Sequence, residues 1–430
     1  MTHVVVIGGG PAGCAVARRL ALGGIRVTQF VAGTIAGREG LSRRTLELLR
    51  EDGFDEVTRV LTGPVPRGGH WGDGRSVAGE EWLVDRERLA VAMRAATVAA
   101  GATVHDDLVE DITGDYPEFK VRTRSGSEVS ATCVVDARGR RGPEQHGPTL
   151  LALGQGFRAA TPLPPATAIH PLSWGWCWIV TNGPNLWVQL AGQPGDGRPE
   201  TWLARATAEL PALAAVLAGA VSDGDPVARP SHARRGIGPV CDGVVRAGDA
   251  AVGMDPLSGQ GVYEALRGAR VAAAAVRSLI DGVEPALVAR FLREREDALW
   301  ERIVTMASSF YSENTGLGAF WTGTAAAYRT LLEVPAPIRT SIERRPVLDR
   351  DRIREHDVLV TAAQPRGVWQ VDGVPVVDLI HYIERAGVAT PGGAAAALAR
   401  PQAAVLAAAR WLREAGAWPE RASQVLVAGG

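Results

Sequence analysis

The chain has 430 residues, too many for one compact core, so its length predicts two or three domains. It is 46% hydrophobic and carries a formal charge of only -1 with its basic residues scattered, which argues against nucleic acid or another polyanion as a partner. No stretch supplies the roughly 18 uninterrupted apolar residues of a membrane span; the Ala-rich run at 393–409 is broken by Arg400 and Pro401. Cys14, Cys133, Cys177 and Cys241 are far apart and lack metal-ligand spacing, which predicts buried thiols in a reducing compartment and no metal site. The start codon leads almost directly into an apolar strand without the regions of a signal peptide, so the expectation is a complete cytoplasmic chain.

His3 to Ile7 is a β-branched run that reads as a buried parallel strand. It enters Gly8-Gly9-Gly10-Pro11-Ala12-Gly13, an Ala/Leu-rich helix to about Leu22, and a second strand from Ile25 to Val31. This is a βαβ opening with GxGxxG at its turn. Gly8 permits the turn, Gly10 lets backbone approach a pyrophosphate, and Gly13 lets helix and sheet pack, with Ala12 at the helix start whose N–H groups face the phosphates. The acid expected at the end of the second strand to hold a ribose is missing near Val31. Adenosine contacts then come from elsewhere, or the cofactor is weakly retained.

Thr34 to Gly53 reads as a loop and an amphipathic helix burying Leu46, Leu48 and Leu49, with Arg43 and Arg44 at its start. Gly63 to Gly79 reads as a Gly/Pro-rich loop, followed by a strand end and helix in EWLVDRERLAVAMRAATVAAG and strands at 102–112 and 119–124. From Leu151 to about Pro230 strand-like pieces replace the βαβ rhythm, and the strand Gly243–Ala247 restores it. That return predicts a discontinuous dinucleotide domain, 1–150 and 231–332, with a mainly-β substrate domain at 151–230 to which 71–85 partly contribute. After the EVPAPIR linker, 333–430 reads as a small winged-helix-like module: HDVLVTA and GVWQVDG as a hairpin, then two helices. From Arg339 onward twelve arginines face ten acids, too balanced for a DNA reader.

A second cofactor signal is RAGDAAVGMDPLSGQGVY at 246–263. Gly248 allows close approach, Asp249 offers a carboxylate to a sugar-alcohol chain, and Pro256 with Gly259-Gln260-Gly261 makes a side-chain-poor surface suited to a flat ring. Together the two motifs resemble the class A FAD-dependent monooxygenases, in the group that includes flavin halogenases and prenyl reductases. The resemblance covers roughly residues 1–330. It implies an α/β, glutathione-reductase-like (Rossmann-type) FAD-binding domain with an inserted mainly-β domain. It further implies diphosphate binding at GGGPAG, cofactor contacts from Arg44 in SRRTLELLREDG and Arg86 in VDRERL, and an adenine contact from the Val109 backbone. In VVDARGRRG it places Asp136 and Arg138 near the cofactor, although Arg138 stands where the family has Asp. Asp249 would bind the ribityl chain, Pro256 would line the flavin, and Gly259 to Gly261 would hold the pyrimidine end. The implied cycle is reduction by transient NADH or NADPH, O₂ addition at flavin C4a, and oxygen transfer to an electron-rich carbon.

Four of the twelve tryptophans fall in fourteen residues, 174–187. In WGWCWIV the period of two would set Trp174, Trp176 and Trp178 on one strand face, and Asn182-Gly183 reads as a hairpin turn with 186–190 returning. GWCWIV resembles the GWxWxIP stretch of flavin-dependent tryptophan halogenases, but those need an active-site lysine. The only lysine, Lys120, is far from every flavin motif and no proline follows Ile179, which disfavours halogenation. A prenyl-type reductase would want an aliphatic tunnel, whereas Trp176, Trp178, Trp187 and Tyr263 are candidate aromatic walls. Residues 310–329 resemble flavoproteins that mature quinone cofactors. That points to a peptidyl tryptophan as substrate, with a small protein subunit as the expected partner; a small aromatic molecule is the alternative. Asp255 is the one catalytic candidate, read equally as a turn former before Pro256. Tyr311 and Trp321 read as core, and His170 and His232 as structural.

Overall fold

The apolar run at the start of the chain forms β1 (His3–Ile7), buried along its whole length. In this computed structural model the described residues are 2–33, 36–72, 74–195, 198–237, 243–332, 338–386 and 390–419. Cys241, Thr34, Ile35 and the 333–337 part of the linker lie outside them. The turn after β1 delivers the chain into α1 (Pro11–Leu22), and β2 (Arg26–Val31) returns parallel to β1. A Cβ on Gly13 would lie 2.1 Å from the Gly8 carbonyl oxygen, so close packing of helix against turn requires glycine there. The parallel sheet has five strands in the order Val244–Arg246, Cys133–Asp136, β1, β2, Thr103–Asp106. α1 packs against α3 (Arg86–Ala99) and the Gly261–Ile280 helix.

The stretch expected as one strand at 102–112 is divided. Thr103–Asp106 joins the parallel sheet, and Val109–Asp115 begins an antiparallel meander with Glu118–Thr123 and Glu128–Ala131. Asp107 makes the break, its carboxylate accepting from the Leu108 N–H at 2.8 Å.

A seven-stranded sheet carries the tryptophans. Its main path runs Gly175–Gly192, Leu151–Leu172, Thr62–Trp71, Gly79–Asp85, Arg38–Leu41, with Val221–Pro230 paired to Leu151–Leu172. Two expectations are corrected here. The Gly/Pro-rich segment from Gly63 is not a loop over its first part: Thr62–Trp71 is a strand paired on both sides. Its glycines serve that pairing, since a Cβ on Gly69 would sit 2.0 Å from the Ile169 carbonyl oxygen. The Asn182-Gly183 pair does not reverse the chain either. Gly175–Gly192 is one continuous strand, and Gly183, at φ +62°, lies opposite Leu163 where the pairing register shifts. The positive φ that a hairpin turn requires is used to absorb a bulge. The reversal comes earlier, at Ser173 and Trp174 between the two long strands. Two helices, Pro199–Glu209 and Pro211–Leu217, complete this region.

Two compact units emerge: Met1–Pro285 with Arg295–Leu332, and Ala286–Glu294 with Glu333–Gly430. In the second, Ser341–Asp349, Arg352–Thr361 and Gln364–Val368 form an antiparallel sheet, followed by helices Val376–Ala386, Pro391–Leu398 and Gln402–Glu414. Leu379, Ile383, Val405 and Leu412 centre its core. Among the described residues no helix is long and apolar enough to cross a membrane.

The glycine geometry makes a stability prediction. Gly13→Ala forces a Cβ against backbone and is expected to cost about 1–3 kcal/mol, whereas a Cβ on Gly10 meets nothing within 4 Å. Urea unfolding of the ligand-free protein should show Gly13→Ala destabilised and Gly10→Ala close to wild type.

Candidate functional site

The two glycine-rich motifs meet at the carboxyl ends of the parallel strands, where open α/β sheets bind ligands. Gly248, at φ +61°, follows the Val244–Arg246 strand, and a Cβ there would come 2.7 Å from the Ala12 Cβ at the start of α1. The Ala247 N–H donates to the Asp136 carbonyl at 2.9 Å, joining the 246–261 segment to the neighbouring strand. Gly8, Gly10, Ala12, Gly13, Asp136, Gly248 and Asp249 are thus carried on segments that converge on this edge, and Pro256, Gly259, Gln260 and Gly261 follow in the turn leading to the Gly261–Ile280 helix. A Cβ on Gly10, Gly259 or Gly261 would meet nothing within 4 Å, so backbone is bare on both motifs. A bare backbone surface at the amino terminus of α1 fits the diphosphate and flat ring of FAD.

Asp136 holds Arg138 through a two-pronged contact, Nε at 2.9 Å and Nη2 at 2.8 Å, and that bonding raises the arginine pKa. Asp249 pairs with Arg140 at 3.1 Å. Arg140, which the sequence reading passed over, also donates to the carbonyls of His232 (2.6 Å) and Met254 (2.5 Å) and so pins the 249–254 stretch. Three expected cofactor contacts stand on other elements. Arg44 is exposed on the first turn of α2 (Arg43–Glu51), Arg86 starts α3 in an ion pair with Glu39, and Val109 is buried beside Phe30. Arg229 converges with Arg86 at Gly37, and burial, together with the Arg86 charge, lowers its pKa to about 10.

Asp255 is 3% exposed, so its carboxylate is separated from water. Oδ1 accepts from the Leu257 N–H at 3.0 Å, forming the turn. Oδ2 accepts from two tyrosine hydroxyls, Tyr328 at 2.8 Å and Tyr311 at 3.1 Å. Each hydroxyl accepts in turn: Tyr311 from the Trp176 indole N–H at 3.4 Å, Tyr328 from the Ala233 N–H at 3.0 Å. Burial raises the Asp255 pKa to about 6 against these opposing hydrogen bonds, and burial next to that carboxylate puts both tyrosines well above their ordinary value. Tyr311 and Trp321 are core, as read, but Tyr311 is also a polar link. Tyr328 was not anticipated.

Around this network lies an aromatic cluster of Trp71, Trp176, Tyr311, Phe320, Trp321 and Tyr328, with Trp178 packed against it. The three tryptophans of WGWCWIV do not share a face. Trp176 and Trp178, two residues apart on the strand, share a face, but Trp174 precedes the strand in the turn. Its ring joins the opposite cluster, edge-on to Trp202 at 5.1 Å with the Arg205 guanidinium over it. Trp187 packs with Val65, Leu83 and Val180, and Trp178 reaches both groups. Tyr263 is half-buried on the Gly261–Ile280 helix beneath Arg267. Lys120 is in the meander, 63% exposed and paired with Glu128 at 3.4 Å. His232 is buried, which lowers its pKa despite Glu144.

No family model and no curated protein sequence matches the chain. Solved structures do. A peptidyl tryptophan dihydroxylase, QhpG, essential for tryptophylquinone cofactor biogenesis, is 29% identical, with a TM-score of 0.80 over 96% of this chain and 99% of its own. The flavin-dependent halogenase CmlS is 18% identical, with a TM-score of 0.74 over 100% and 98%. The flavin-dependent brominase Bmp2 is 20% identical, with a TM-score of 0.63 over 74% and 88%. At their identities the two halogenases establish the fold alone.

The Asp255 network carries a signed pH prediction. Its folded pKa, about 6, lies above the ordinary 3.8, so protonation favours the folded state. The associated stability is full below about pH 4 and is lost as pH rises through about 6. Relative to Asp255→Asn, the wild type should therefore lose unfolding free energy across that window, by up to about 3 kcal/mol, in chemical denaturation at stepped pH. Tyr328→Phe removes a donor to the carboxylate and strands the Ala233 N–H, an expected loss of about 1–3 kcal/mol at pH 7. The chain shares the fold of the flavin-dependent monooxygenases and halogenases, and over nearly its whole length it is similar to a peptidyl-tryptophan dihydroxylase.

Proposed function

We propose that the protein is an FAD-dependent monooxygenase that hydroxylates an electron-rich aromatic ring, with NADH or NADPH as transient donor. The substrate is a tryptophan held in a polypeptide, as in tryptophylquinone cofactor biogenesis. The observation that carries this reading is the match to a peptidyl-tryptophan dihydroxylase along 96% of this chain and 99% of that one. The placement of Lys120, far along an exposed meander, supports hydroxylation over halogenation.

FAD, when bound, supplies the activation of O₂. The chain's own residues hold and shield it. N–H groups of the Gly8–Gly13 turn and α1 would hold the diphosphate, Asp249 would take the ribityl hydroxyls, and the bare backbone at 259–261 would leave room for the ring. Arg44, Arg86, Asp136 and the Val109 backbone would add contacts to the bound cofactor. Asp255 is a positioning residue. Buried among these donors, its carboxylate fixes the Pro256 turn against Tyr311 and Tyr328 and, through Tyr311, Trp176. Trp176 is buried behind the network, and the partly exposed Trp178 is the ring that would exclude water and orient an indole.

Coupling between NAD(P)H oxidation and hydroxylated product tests the reading. Trp178→Ala should fold, retain donor oxidation, and consume several-fold more NAD(P)H per product formed. Unchanged coupling would remove Trp178 from the pocket, and wild-type protein without substrate-stimulated oxidation would overturn the monooxygenase reading.

A further inference from the structure

β2 ends at Val31 without an acid, and the structure places one directly beside it. β2 pairs in parallel with Thr103–Asp106, and the register partner of Val31 is Asp106. Residues paired across parallel strands project to the same face of a sheet. For Val31 that face belongs to the phosphate turn, because a Cβ on Gly9 would meet the Val31 Cγ1 at 2.5 Å. A cleft of about 480 Å³ opens at the ends of these strands, lined by Val31, Gly33, Asp106, Leu108, Arg124 and Arg141 among others.

The two neighbouring acids differ in what already occupies them. Asp107 accepts from the Ser125 hydroxyl at 2.6 Å and from the Leu108 N–H at 2.8 Å, which ties it to the loop. The Asp106 side chain is 86% exposed at the cleft, in a long ion pair with Arg94 at 3.7 Å. Arg94 also reaches the Gly33 carbonyl at 3.4 Å, so the Asp106 carboxylate is steadied from the side of β2. A carboxylate with open acceptor positions, on the phosphate face and one strand spacing of about 4.8 Å beyond β2, has the chemistry that a ribose diol recognises.

We propose that Asp106 supplies the ribose-binding carboxylate missing from β2, and that the cleft seats the adenosine of FAD. The proposal rests on the flavoprotein reading. Arg124 and Arg141 flank the base, where guanidinium planes stack on aromatic rings.

The test uses the full chain, stripped of flavin, with FAD followed by fluorescence quenching and with ADP and 2′,3′-dideoxy-ADP followed by calorimetry. Wild type should prefer ADP to the dideoxy analogue by about tenfold or more, as expected for hydrogen bonds to a charged group. Asp106→Ala should erase that preference and weaken FAD by a similar factor, while Asp107→Ala keeps both. Preference retained in Asp106→Ala, or lost in Asp107→Ala instead, overturns the assignment while leaving the flavoprotein reading intact. Wild type that binds neither FAD nor ADP overturns both.

Discussion

A buried carboxylate that cannot reach water must find its donors within the protein, and Asp255 finds them on elements far apart in the chain. Its partners Tyr311 and Tyr328 stand on the Pro285–Ser312 and Ala319–Arg329 helices, and through Tyr311 the network touches Trp176 on the long Gly175–Gly192 strand. The 255–261 turn, two helices and the tryptophan-bearing sheet are thereby held in one arrangement. Leaving such a group with one donor fewer costs more than an average hydrogen bond contributes, because the remaining partner stays buried. The network therefore specifies geometry more strongly than it adds stability, and its raised pKa is the sign of the burial that it offsets.

The second constraint is steric. Gly13 against the Gly8 carbonyl and Gly248 against Ala12 let backbone segments approach more closely than side chains would allow. That approach brings the turn after β1 to the segment before Asp255. It leaves N–H groups and bare backbone, in place of side chains, at the carboxyl edge of the parallel sheet. Arg140 reinforces the junction by bonding Asp249 and two carbonyls together.

The βαβ opening and the 246–263 segment were legible in the sequence because their constraints are local: a buried apolar strand, glycines where a Cβ has no room, and a helix starting at a fixed offset. The fold read from them agrees with the parallel sheet and with the structural neighbours. What escaped depends on distant partners. Thr62–Trp71 looks like a loop by composition, and only pairing with strands on both sides makes its glycines sheet residues. Asn182-Gly183 carries a turn signal that the long strand spends on a bulge. Period-two spacing grouped Trp174 with its neighbours because nothing nearby marks where the strand begins. Asp255 could be read only as an even choice between turn former and catalytic group, since its tyrosine partners lie 56 and 73 residues further along.

The proposed activity is oxygen transfer onto the ring of a tryptophan in a polypeptide. The most direct measurement is mass spectrometry of a tryptophan-containing polypeptide incubated with the FAD-loaded protein, NAD(P)H and ¹⁸O₂, with bromide and chloride present. The expected result is one or two labelled oxygen atoms on the tryptophan ring and no halogen. A halogenated ring, or a polypeptide of unchanged mass despite donor oxidation that the polypeptide stimulates, would contradict it.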